Sequence, residues 1–138
     1  LASVASIPIA YGGLDVLTYK GVTTQAEFES TGFATQHVSQ RWTSDDHLVR
    51  IGRFYPGDTN GTVRPTYEFL TGSAPPACPT MSQRSWATVG GQLYPRSPAA
   101  ISPDRYSRFV TSRTLVYDTG TADRITLTLP TGRPVAGC

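Results

Sequence analysis

Turn-forming residues interrupt this chain so often that no long regular element fits between them. Of its thirteen Gly and eleven Pro residues most fall at Gly12-Gly13, Pro56-Gly57-Asp58, Asn60-Gly61, Pro75-Pro76, Gly90-Gly91 and Pro130-Thr131-Gly132, with Pro95, Pro98, Pro103 and Gly120 in between. Gly and Pro end strands and helices for opposite reasons, one by conformational freedom and the other by a fixed φ and a missing donor. The intervals that remain have the length of strands.

Thr, Ser and Gly supply the polarity that charged residues, at 16% of the chain, do not. Thr is β-branched and fits a pleated surface, and the residues that populate exposed helix faces are few. These features predict one domain over residues 1–138, an all-β antiparallel sandwich or barrel of about seven to eight short strands. Expected strands are Val16 to Val22, His37 to Thr43, Leu48 to Tyr55, Thr62 to Leu70, Ser85 to Val89, Tyr106 to Tyr117 and Ile125 to Leu129. The last alternates apolar and hydroxyl residues, which predicts one dry and one wet face. With Tyr106 to Tyr117 it forms the best hairpin, turning through Asp118 to Asp123. The one helical signal is Thr24 with Glu27 three residues on, a capping box for a turn over Thr24 to Ser30.

The formal net charge is +2, and eleven of the twelve basic residues are Arg, with Lys20 alone in the first forty positions. A basic arm that would bind nucleic acid by releasing counterions is missing. So is any run of about 18 apolar residues that would span a bilayer. The chain opens without Met, which suggests a processed product or an excised domain.

His37, Asp45, Asp46 and His47 form the densest polar cluster, chemically sufficient for a metal site or for acid/base work. A polar loop before a strand accounts for them equally, and that is the reading adopted, with no catalytic or cofactor-binding residue assigned. Cys78 and Cys138 are candidates for a disulfide closing a loop of about sixty residues, worth about 4 kcal/mol; the alternative is two unrelated thiols. Asn60-Gly61-Thr62 fits both a tight turn and an N-glycosylation sequon. Trp42, Tyr67, Phe69, Trp86 and Phe109 are expected in the core.

The stretch Asp104 to Asp118, an Arg-aromatic start followed by a polar-apolar strand, and the second strand in Arg124 to Pro130 resemble the late strand pair of small-virus jelly-roll coat proteins. That resemblance implies a jelly-roll-like fold and a structural capsid role, as a shell or protruding domain, in the virion or outside the cell. Its partners would be copies of itself or related capsid subunits, and a host receptor or glycan. The competing expectations are a secreted carbohydrate- or surface-binding module, and a small secreted hydrolase using His37, Asp45, Asp46 and His47.

Overall fold

The computed structural model describes residues 6–8, 22–55, 60–120, 124–132 and 136–138. Among them are β1 (Ser6–Pro8), β2 (Val22–Thr24), α1 (Gln25–His37), β3 (Trp42–Thr43), α2 (Asp46–Gly52), β4 (Gly61–Thr62) and α3 (Arg64–Leu70). There follow β5 (Thr80–Gln83), a single 3-10 turn (Arg84–Ala87), β6 (Gly91–Leu93), β7 (Arg96–Ala99), α4 (Pro103–Thr111), β8 (Thr114–Asp118) and β9 (Ile125–Leu129). The all-β jelly-roll-like sandwich is therefore overturned: four α-helices accompany a mixed sheet. That sheet has the order β4-β3-β5-β9-β8. β3 runs parallel to β4 and β5, whereas β9 is antiparallel to both β5 and β8.

Local chemistry explains each helix read as a strand. Asp45 caps α2 by accepting from the Leu48 N–H at 3.0 Å, so Leu48 to Gly52 is helical. In α3, Pro65 occupies the first turn, where its missing donor costs nothing. Ser102 caps α4, its hydroxyl accepting from the Arg105 N–H at 3.0 Å, with Pro103 and Asp104 following. Tyr106 to Thr111 is therefore helix, and only Thr114–Asp118 pairs with β9. The Ser85 to Val89 strand is replaced by the 3-10 turn, and His37 to Thr43 keeps only Trp42–Thr43 as strand. The strand expected over 16–22 lies outside the described residues except for Val22, as do the turn over 56–59 and Lys20.

The Thr24–Glu27 capping box is present, but the helix it opens runs to His37. Its buried face is Glu27, Ser30, Thr31, Gly32 and Ala34, which carries almost no apolar periodicity. Small residues are needed there, because a Cβ on Gly32 would lie 2.9 Å from the Tyr55 hydroxyl.

α1 and α2 cover one face of the sheet, packing Ala34, Leu48, Val49 and Ile51 against Trp42, Met81, Ile125 and Leu127. Beyond the other face, α3, α4 and the β6–β7 hairpin enclose Phe69, Leu70, Trp86, Leu93, Ile101 and Phe109. β9 thus has no wet side: Thr126 and Thr128 are as buried as Ile125 and Leu127. The hydroxyl face closes internally. Ser82 and Thr126 hydroxyls bond at 2.8 Å, and Arg113 donates to the Thr128 hydroxyl at 2.9 Å, the Thr80 hydroxyl at 3.1 Å, and the carbonyls of Cys78 and Pro76 at 2.6 and 2.7 Å. The Arg113 guanidinium also stacks 4.8 Å from the Phe109 ring centroid. Burial lowers Arg113 to about 10, which leaves it charged at neutral pH.

Cys78 and Cys138 are joined by a disulfide with Cα atoms 5.2 Å apart, and the Cys138 N–H donates to the Arg41 carbonyl at 3.0 Å. The bridge fastens this segment beside the start of β3 and β5. No helix among the described residues is long and apolar enough to cross a membrane.

The packing, the hydroxyl face and the disulfide each set an expected stability change. Leu127→Ala should cost about 2–5 kcal/mol, and Thr128→Val, which keeps the shape but deletes an acceptor of the buried guanidinium, about 1–3 kcal/mol; urea midpoints read by circular dichroism check both, and a neutral Thr128→Val would contradict a buried hydroxyl face. Reducing the disulfide should lower stability by about 4 kcal/mol, measured as paired urea titrations with and without reductant, and alkylation of either thiol in the native, unreduced protein would refute the bridge.

Candidate functional site

The polar cluster expected over His37, Asp45, Asp46 and His47 does not come together. His37 sits exposed in the last turn of α1, its ring 4.4 Å from that of Phe33. His47 is buried and meets Glu27 at the opposite end of the same helix, which at 1.5 Å per residue lies roughly 15 Å away along the axis. Asp46 pairs with Arg50 one turn on, at 3.1 Å. Asp45 turns inward, and besides capping α2 it accepts from Trp86 Nε1 at 3.2 Å and the Gln92 N–H at 3.1 Å. Burial, the dominant influence, raises the Asp45 pKa above the ordinary 3.8, against the pull of the Leu48 N–H, His47, the Gln92 N–H and Trp86. Gly91 has no room for a side chain beside this carboxylate, since a Cβ there would stand 2.5 Å from Leu70 Cδ1.

Glu27 gave no functional signal in the sequence beyond its capping role, yet it joins three elements. Its Oε1 accepts from the Thr24 N–H at 2.9 Å and lies 3.1 Å from His47 Nε2, while Oε2 accepts from Gln83 Nε2 at 2.9 Å. Glu27 and His47 are 0% and 1% exposed at the side chain, and neither lines a described cavity; the contacts of Glu27 tie α1, α2 and β5 together. Among the described residues no three His, Cys, Asp or Glu side chains gather as a metal ion would require. Asn60 is half-buried just before β4, its amide nitrogen donating to the Ser39 carbonyl at 3.4 Å.

Several cavities open on the described surface, and in the three described below the charged groups separate them. One, of about 270 Å³ beside Phe69 and Phe109, contains Arg105 and Arg108. There Arg105 is stacked on the Phe69 ring and donates to the Ser73 carbonyl at 2.7 Å, and Arg108 pairs with Asp104. A second, along α3, contains the ion-paired Arg64 and Glu68. The third, about 440 Å³, differs. One face of α4, carrying Pro103, Tyr106 and Val110, forms its wall, Thr126 of β9 its floor, and Arg84 and Arg124 flank it. The spacing of those α4 residues places them on one side of the helix.

Tyr106 is the unusual member. Its hydroxyl oxygen is buried beside the Ser82–Thr126 pair, and both of those hydroxyls act on it as hydrogen-bonding neighbours at less than ideal geometry. Burial raises its pKa above the ordinary 10.0, over the opposing effects of Ser82, Thr126, Arg124 and Arg84, so it is a neutral donor at physiological pH.

Arg124 opens β9 at φ 36°, the left-handed region a non-glycine residue adopts only under constraint. Its carbonyl accepts from the Arg84 N–H at 3.1 Å, which sets the two arginines side by side. Asp118 fixes the guanidinium, accepting from its Nε and Nη2 at 3.2 and 2.9 Å, while the other carboxylate oxygen takes the Gly120 N–H at 2.9 Å. None of this was readable from spacing, because Arg84, Tyr106 and Arg124 come from three separate elements.

The Gly120 N–H foremost, with the Arg124 guanidinium, lowers the Asp118 pKa below 3.8. A lowered carboxyl pKa stabilises the fold fully above the ordinary value and loses that contribution as pH falls through the depressed one. In a carboxyl-carbon NMR titration Asp118 should therefore titrate below 3.8, and Arg124→Gln should move its midpoint upward; a midpoint at or above the ordinary value in the unaltered protein would contradict the assignment. No protein-family model, curated protein or solved structure matches this chain.

Proposed function

We propose that this chain is a secreted or otherwise extracellular binding domain that takes a small organic ligand into the cavity between α4 and β9. Of the three expectations drawn from the sequence this is nearest to the carbohydrate- or surface-binding module, carried on a mixed α/β frame. The observation behind it is a cavity of about 440 Å³ with Pro103, Tyr106 and Val110 of α4 on one wall and the guanidiniums of Arg84 and Arg124 at its side. Ligand sites have this size and this make-up, apolar walls with a few convergent polar groups. The Cys78–Cys138 disulfide supports the setting, since such bridges persist where thiols are not kept reduced.

Binding without catalysis is the reading because the described lining side chains include no carboxylate, imidazole or thiol. A hydrolase built on His47, Asp45 and Asp46 has no such opening beside them among the described cavities. The virion reading drew on a strand pair beginning at Asp104, and with Pro103–Thr111 helical that support is gone.

Two-dimensional amide NMR with a fragment panel that includes pyranoses tests the proposal. Binders should shift the Tyr106, Val110 and Thr126 resonances, and Val110→Trp, which fills the cavity from its wall, should abolish those shifts while the protein stays folded. A panel without hits at these positions, or hits indifferent to Val110→Trp, would defeat it.

A further inference from the structure

Resting on that reading, we propose that the ligand is a carboxylic acid with an apolar body, its carboxylate met by Arg84 and Arg124 and its body lying against Pro103 and Val110. The charged residues among the described lining of the cavity are Arg84 and Arg124. Arg84 is exposed and, among the described residues, pairs with no carboxylate. Arg124 uses Nε and Nη2 on Asp118, which leaves further N–H groups of its fork to donate. The two arise from backbone positions joined by the Arg84 N–H to Arg124 carbonyl bond, so one anion can engage both. Asp118, which feels both arginines, neutralises only part of this field, and no acidic side chain is among the described residues lining the cavity.

The Thr88, Ser107 and Thr111 hydroxyls also line the cavity and can accept as well as donate, so the two guanidiniums, which only donate, are what set an anionic ligand apart from a neutral one. Ala87, Pro103 and Val110 supply apolar wall, so a bare oxyanion would leave that contact unused.

The test uses isothermal titration calorimetry and amide NMR on the intact, disulfide-bonded protein at neutral pH. The probes are naphthoate, its neutral counterpart naphthylmethanol, the cation naphthylmethylammonium, and the body-less anions acetate and inorganic phosphate. Naphthoate should bind roughly five- to tenfold more tightly than naphthylmethanol, the advantage expected of solvent-screened ion pairs, and lose it as salt rises. The ammonium, acetate and phosphate should be weaker still. Arg84→Gln, at an exposed side chain whose backbone bonds are unaffected, should erase most of the difference between naphthoate and naphthylmethanol without weakening the alcohol. Equal binding of the two, lost together in Val110→Trp, would overturn the acid preference and leave the cavity reading standing. Phosphate binding as tight as naphthoate would overturn the apolar body. Failure of every probe, identical in Val110→Trp, would overturn both readings.

Discussion

A strand whose alternate residues are hydroxylated has been buried on both faces, and most of this architecture answers to that. Thr126 and Thr128 cannot reach water, and a hydroxyl removed from solvent without a partner costs more than any single packing contact supplies. The partners come from β5, through Ser82, and from the junction of α4 and β8, through Arg113, which also meets Thr80. The sheet can carry helices on both faces because this polar seam between β9 and α4 closes on itself. Tyr106 lies at its edge, where the cavity begins.

Charged side chains act here as cross-links more than as surface. Arg113 joins β8 to the loop before β5, Glu27 joins α1 to α2 and β5, and Asp45 joins α2 to the 3-10 turn and β6. Arginine suits this work because its planar fork meets several acceptors while its face lies on a ring, as with Arg113 on Phe109 and Arg105 on Phe69. The excess of Arg over Lys is in this respect a matter of geometry. Removing one member of such a cluster would leave a buried charge uncompensated, which costs far more than the cluster's net worth.

The sequence made some of this legible and hid the rest for identifiable reasons. Ile125–Leu129 is a strand as its alternation implies, but alternation could not reveal that β8 and β5 flank it and that α4 lies over its hydroxyls. The Thr24–Glu27 box marks the start of α1, yet the helix buries Ser30, Thr31, Gly32 and Ala34, so no apolar stripe announced its length. Ser102-Pro103-Asp104 is a helix start that went unread because the residues after it also fit a strand, and Asp45 was taken for loop when it is a cap. Trp42, Phe69, Trp86 and Phe109 are buried as their size suggested. The cavity was out of reach, since Arg84, Tyr106 and Arg124 acquire meaning only when β5, α4 and β9 meet.

The floor of the cavity is a residue of the strand at the heart of the sheet, hydrogen-bonded to neighbours on both sides. Binding sites more often sit on loops, whose opening and ordering are local events. Thr126 has no such freedom: its amide should exchange with solvent only when the strands around it part, and the surface it offers is already set before anything arrives. A molecule held there is coupled to the cohesion of the whole domain, so occupancy registers as a shift in global unfolding instead of the quieting of a mobile segment.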